Sequence, residues 1–233
     1  MPQGKTESKK EINKEILGHY GFDESIFPEL TNCIDQQGKL TPEASDQTGL
    51  PKGIPVTYRA GDQPNNALAL NVLKPGEIAA TCGTSGVVYG IVDKPVFDVQ
   101  SRVNGFTHVN YEEAHDRIGI LLCINGAGIQ YSWMKHQMGS LGVGYPDMEE
   151  MASKVPIGSE GVSVLPFGNG AERIFNNKNI GSHILGLEFN RHNREHVYRA
   201  TLEGIAFSFV YGMEILTSDG IKPKVIRAGN DNL

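Results

Sequence analysis

The stretch Glu77–Asp93, EIAATCGTSGVVYGIVD, decides how the chain is read. Its two apolar, β-branched halves have the composition of strands, and Gly83-Thr84-Ser85-Gly86 joins them. A joint of this kind reads first as a hairpin turn in which glycine supplies positive φ. It has a second reading. The N–H groups of a glycine turn can close around an anion, with the hydroxyls of Thr84 and Ser85 as further donors, which makes the turn a candidate phosphate cradle.

The theme recurs downstream. RIGILLCINGAGIQYSW (Arg117–Trp133) is a strand run followed by a glycine-rich entry into a helix. Gly126 and Gly128 there admit either a nucleotide or a tightly packed neighbour against the backbone. GVSVLPFGNGAER gives another strand and loop. KPKVIRAGNDNL gives a last strand ending in a Gly-polar turn. Between them, Asn193–Gly220 reads as one long helix with Gly204, Ser208 and Gly212 at four-residue spacing. That track lets another element approach closely, so the helix is expected to be buried.

Upstream, Glu11–Phe22 has helical spacing of Ile12, Ile16, Leu17 and Tyr20, with Gly21 as its stop. Thr41-Pro42-Glu43 is a helix start, with Thr41 as N-cap, and Gly49 ends that helix. IPVTYRAG reads as a strand, and Asp62 opens a helix with Pro64 in its first turn, running on to Pro75-Gly76. Asp62 has two readings of equal standing. It is an N-cap, or it is a carboxylate at a strand's mouth that takes a proton from a bound hydroxyl.

The remaining polar residues carry less. His192 and His196 are spaced i, i+4, but no acid follows the first as a zinc-protease motif requires, so they read as a solvated helix start. His108, His115 and Asp116 read as surface, and no metal site is expected. A formal charge of −6 argues against a nucleic-acid or anionic-membrane surface. Three scattered cysteines fit a reducing, cytoplasmic setting, and no apolar run approaches the ~18 residues of a membrane span.

Taken in order, these segments resemble the FGGY family of carbohydrate kinases. AGDQPNNAL is similar to the segment carrying its catalytic aspartate, and GEIAATCGTSGVVYG to its second phosphate motif. GAGIQYSW is similar to a nucleotide-contacting segment, and LPFGNGAERIFNN and RATLEGIAF to further family stretches. IRAGNDNL is similar to its adenosine motif. The resemblance implies an α/β, actin-like (ribonuclease H-like) fold with ATP and sugar in a cleft, and Mg2+ accompanying ATP. It implies Asp62 as the base, with Gln63 beside it at the sugar. Gly83, Thr84 and Ser85 would lie at the phosphates, Gly126 and Gln130 along the nucleotide, and Gly229 and Asn230 near the adenosine. Asn230 stands where the family usually has a second glycine.

The resemblance also sets an expectation about extent. The family's first phosphate hairpin, of Asp-x-Gly-Thr type, is absent, and the chain stops on the last turn. Residues 1–75 are read as a remnant of the N-terminal sugar-binding domain, and residues 76–233 as most of a nucleotide-binding domain. The expected reaction is phosphorylation of a sugar hydroxyl, D-xylulose leading, with glycerol, gluconate and ribulose as alternatives. The piece alone is expected to be inactive, and its bared sheet edges to favour self-association such as a homodimer. The competing class is a non-catalytic actin-like nucleotide-binding module.

Overall fold

The computed structural model describes residues 12–112 and 114–229. Its centre is a five-stranded sheet in the order β5-β6-β4-β3-β9, formed by Asn104–Thr107, Ile118–Ile124, Gly86–Val92, Glu77–Cys82 and Val225–Ala228. Four strands are antiparallel neighbours, and β9 adds to β3 in parallel. The stretch quoted first is the β3–β4 hairpin, with Cys82 opposite Gly86.

Strand alternation explains how both faces of this sheet are used. Ile78, Val88, Val92, Ile120, Leu122 and Ile124 enter one core, which includes Ile215 and Leu216 of the long helix α6 (Arg194–Ser218). Ala79, Val87, Tyr89 and Ile91 point the other way and pack with Ala67 and Val72. Ala67 belongs to the short helix α3 (Asp62–Ala69). A strand covered on both sides must be apolar at every position, and all seven residues of β4 are buried.

The small-residue track of α6 has the expected consequence. A Cβ at Gly204 would collide with the Val164 carbonyl, and one at Gly212 would lie 2.9 Å from Leu122 Cδ2. Val164 lies on β7 (Ser163–Phe167), which pairs antiparallel with β8 (Gly181–Leu185). Helices α4 (Ala127–Met138) and α5 (Tyr145–Ser153) form a further cluster with α6 around Met134, Met148 and Tyr198. β5, α5 and β8 were not anticipated from the sequence.

Ahead of the sheet, α1 (Lys14–Tyr20) and α2 (Pro42–Thr48) end on left-handed Gly21 and Gly49, and Thr41 caps α2 by accepting from Ala44 N–H. The strand expected over IPVTYRAG shrinks to β2 (Pro55–Val56), paired only with β1 (Gly38–Lys39). β-branched composition forms no longer strand there because the ladder has no further partner. The helix expected to reach Pro75 stops at Ala69, where Leu70 caps it and Asn71 takes φ 56°.

Two histidine readings are corrected. His108 is only 1% exposed, its Nδ1 3.0 Å from the Tyr89 hydroxyl, which passes over Gly119 where any Cβ would collide with it. His192 is buried too, lies ahead of the helix, and accepts from Glu188 N–H; Asn193 is the N-cap. Among the described residues no helix is long and apolar enough to cross a membrane.

Candidate functional site

Strand register brings the glycine turns to one edge. β3 and β9 run parallel, with Ala80 opposite Ala228, and Gly229 N–H donates to Ala80 O at 3.0 Å. β4 starts at Gly86, opposite both Cys82 at the end of β3 and Ile124 at the end of β6. The Gly83–Ser85 turn, the Asn125-Gly126 turn and Gly229 therefore follow the carboxyl ends of three strands on the same side of one sheet. In α/β sheets that is where ligands gather.

The Gly83–Ser85 turn closes with Gly83 N–H donating to Ser85 O at 3.1 Å, and leaves Thr84 exposed. Neither Gly83 nor Gly86 adopts the positive φ expected of a hairpin glycine. Gly86 is needed for another reason: a Cβ there would lie 2.8 Å from the Phe209 ring and 3.0 Å from Ala127 Cβ. The turn is tied to the start of α4, where Ile129 N–H donates to Thr84 O at 3.0 Å.

The beginning of α4 is filled by protein. A Cβ at Gly126 would collide with the Pro166 carbonyl, and one at Gly128 with the Gly83 carbonyl. The close approach these glycines permit on this side is to backbone. Gln130, one turn on, is buried, and its Oε1 lies 3.8 Å from where a Cβ at Gly168 would be. Gly229 is set against Thr81 Cγ2 and the Leu70 side chain, at 3.3 and 3.5 Å from its would-be Cβ. Asn230 lies outside the described residues.

One residue that sequence reasoning passed over stands at the centre of this edge. Glu172 is 0% exposed, and its carboxylate accepts from the N–H groups of Asn125 and Gly126, both at 3.0 Å. Asn125 Nδ2 donates to Ala171 O at 2.8 Å, and Asn169 Nδ2 donates to Asn125 O at 3.0 Å. Burial pushes the Glu172 carboxyl above the usual range, against the lowering effect of those two N–H groups. No local signal in GNGAER reveals these bonds, because their partners lie 46 and 47 residues away.

Asp62 is placed differently from its capping reading. The N-cap of α3 is Gly61, and Asp62 is the first helical residue, exposed, with its Oδ1 accepting from Gln63 N–H at 2.8 Å. Among the described residues no cation pairs with Asp62. The structure records no hydrogen bond between Asp62 and the three turns.

Residues 78–229 match the profile of the FGGY family of carbohydrate kinases, C-terminal domain. The chain belongs to this family. Among its FGGY relatives, the xylulose kinase of Haemophilus influenzae is 28% identical over 96% of this chain and 43% of its own length. The gluconokinase of Bacillus subtilis is 30% identical over 84% of this chain and 39% of its own. The solved xylulose kinase of Rhodospirillum rubrum superposes with a TM-score of 0.79 at 24% identity, over 93% of this chain and 43% of that one. The Plasmodium falciparum glycerol kinase solved with ADP gives 0.78 at 22% identity, over 94% and 43%. The fold is accordingly the actin-like α/β fold of FGGY sugar kinases, and the chain spans well under half the length of these relatives.

Proposed function

We propose that this polypeptide carries most of the nucleotide-binding domain of an ATP-dependent sugar kinase, from residue 76 onward, preceded by the tail of the sugar-binding domain. The observation that carries the reading is the convergence of three glycine turns on one sheet edge, within a chain that belongs to a family of carbohydrate kinases. The acceptor is D-xylulose and the product D-xylulose 5-phosphate, a choice supported by the xylulose kinases among the relatives; the gluconokinases and glycerol kinase keep gluconate and glycerol as the alternatives to test.

Phosphoryl transfer asks a protein mainly for positioning and charge stabilisation. Asp62 accepts the proton of the sugar hydroxyl as that oxygen attacks the γ-phosphorus, the bond to the β-phosphate oxygen breaks, and ADP leaves. Gln63 reaches the sugar beside it. The exposed Thr84 hydroxyl and the Gly83–Ser85 turn are the donors for the phosphates, because the N–H groups of Asn125 and Gly126 are already held by Glu172. Gly229 lies against Thr81 and Leu70, beside the phosphate turn, at the adenosine side.

Among the described residues no three His, Cys, Asp or Glu side chains cluster as a metal cage. Mg2+ fits without one, since it binds through substrate phosphates and water with one or two carboxylates. Bound in that way it would neutralise charge on the transferring group.

The test is Asp62→Ala in the full-length protein, assayed by ATP-coupled turnover with D-xylulose, glycerol, gluconate and ribulose in parallel. Loss of a general base should lower kcat by roughly 10²–10⁴ while ADP affinity stays unchanged. Unchanged turnover would show that Asp62 is not the base, whereas a parent protein that binds ADP and turns over none of the four sugars would transfer the case to a non-catalytic nucleotide-binding module.

A further inference from the structure

We infer that Glu172 is a positioning residue for the nucleotide: it sets ATP affinity by fixing the β6–α4 turn, without touching ATP. The inference rests on the kinase reading only for the identity of the ligand.

A fully buried carboxylate is costly, and here no Lys, Arg or His among the described residues pairs with it; the neighbouring Arg173 instead donates to Asn104 Oδ1. A neutral Asn or Gln could close a loop at lower cost. What a carboxylate does better is accept from two consecutive N–H groups at once, with charge-assisted bonds that hold both in one orientation. It also places a negative charge at the positive end of the twelve-residue α4. The start of that helix therefore already holds its anion, and a phosphate arriving at this edge is turned away from it.

The bonds beyond Glu172 make this a matter for the ligand. Asn125 and Gly126 lead directly into α4, and α4 holds the phosphate turn through Ile129 N–H and the Thr84 carbonyl. On the other side, Asn169 and Ala171 bind Asn125. Glu172 is the side chain through which the 169–172 loop, the β6–α4 turn and the β3–β4 turn keep one arrangement. Loosening it lets the Gly83–Ser85 turn shift against whatever it binds.

Glu172→Gln in the full-length protein keeps size and removes the charge. Steady-state kinetics should show KM for ATP raised about tenfold, KM for the sugar within twofold and kcat within threefold. A merely structural role would lower the active fraction, and so apparent kcat, with both KM values unchanged. An unchanged ATP KM in a folded Glu172→Gln variant overturns the inference. Asn169→Ala removes an exposed bond to the same turn and covers the case in which Glu172→Gln does not fold. It should raise ATP KM about threefold, and an unchanged value counts against the inference. Isothermal titration calorimetry measures binding of ATP or ADP directly in the same variants. Were the full-length protein to bind ATP yet phosphorylate no sugar, the kinase reading would fail. A tenfold weaker nucleotide Kd in Glu172→Gln would still uphold the role of Glu172.

Discussion

Residues 12–66 and the sheet that follows them are held together by different physics. In the first segment Leu17 is the one buried residue, while Ile16, Tyr20, Phe22, Ile34 and Leu50 are each at least half exposed. Its order comes from local hydrogen bonds: the Asn13 and Thr41 caps, left-handed Gly21 and Gly49, and a Gln37 side chain that donates to Asn32 O and Asp35 O at 2.7 and 2.8 Å. In the sheet every residue of β4 is buried, and the contacts join strands far apart in sequence. Local bonds of the first kind contribute about 1 kcal/mol each, since water competes for the same groups. Full burial of a Leu or Ile side chain contributes about 1.5–3 kcal/mol. Local hydrogen bonds thus order the first part of this chain, and apolar burial stabilises the second.

The hardest way to break the comparison is to open a hole in the sheet's core. Leu122 is fully buried between β4 and α6, with its Cδ2 against the space left by Gly212. Leu122→Ala should cost about 2–5 kcal/mol, because a packed site facing a helix backbone collapses poorly. Urea unfolding followed by far-UV circular dichroism checks this, and a cost below 1 kcal/mol would mean that the sheet is not where stability resides.

Legibility follows the same division. Helix α2 was readable to the residue, Thr41 to Gly49, because caps and αL glycines are local features. The β3–β4 hairpin, β6, β7, β9 and the buried track of α6 were readable because an apolar period survives in a single strand or helix. What failed was non-local. His108 sits in a polar stretch, yet it is buried beside the Tyr89 hydroxyl, which comes from a strand nineteen residues earlier. The glycines of α4 announced a close approach but not its object, the Pro166 and Gly83 carbonyls. Glu172 lay in a stretch noted only for its family resemblance, with no sign of its bonds, because its two partners belong to another turn. The site's edge was therefore visible from its glycines, and the carboxylate that braces it was not.

His108 offers a second, somewhat smaller effect that should appear in the sheet alone. Burial lowers its pKa from 6.5 to about 4. As pH falls the unfolded chain takes up this proton first, so the stabilisation is complete above pH 6.5 and is lost as pH drops toward 4. The span corresponds to roughly 3 kcal/mol. In His108→Asn, whose side chain can still meet the Tyr89 hydroxyl, that pH-dependent part should vanish. The stability difference from the parent protein should narrow by about that amount between pH 7 and 4. Parallel denaturation series at several pH values test it; two curves that stay parallel throughout would show that His108 titrates normally.

The smallest effect is expected where the sequence pattern looks most helical. Ile16 lies mid-way along α1 in the apolar spacing that identified the helix, yet it is 55% exposed, and only Leu17 of that face is buried. Ile16→Ala removes little burial and replaces a β-branched residue with the best helix former, so the two changes nearly offset each other. The expected shift in global stability is within about 0.5 kcal/mol, as for other surface substitutions. A cost near that of Leu122→Ala, measured under the same conditions, would mean that Ile16 is covered in solution by a neighbour absent from these contacts. In that case the first segment would share the sheet's core physics and lose its purely local character.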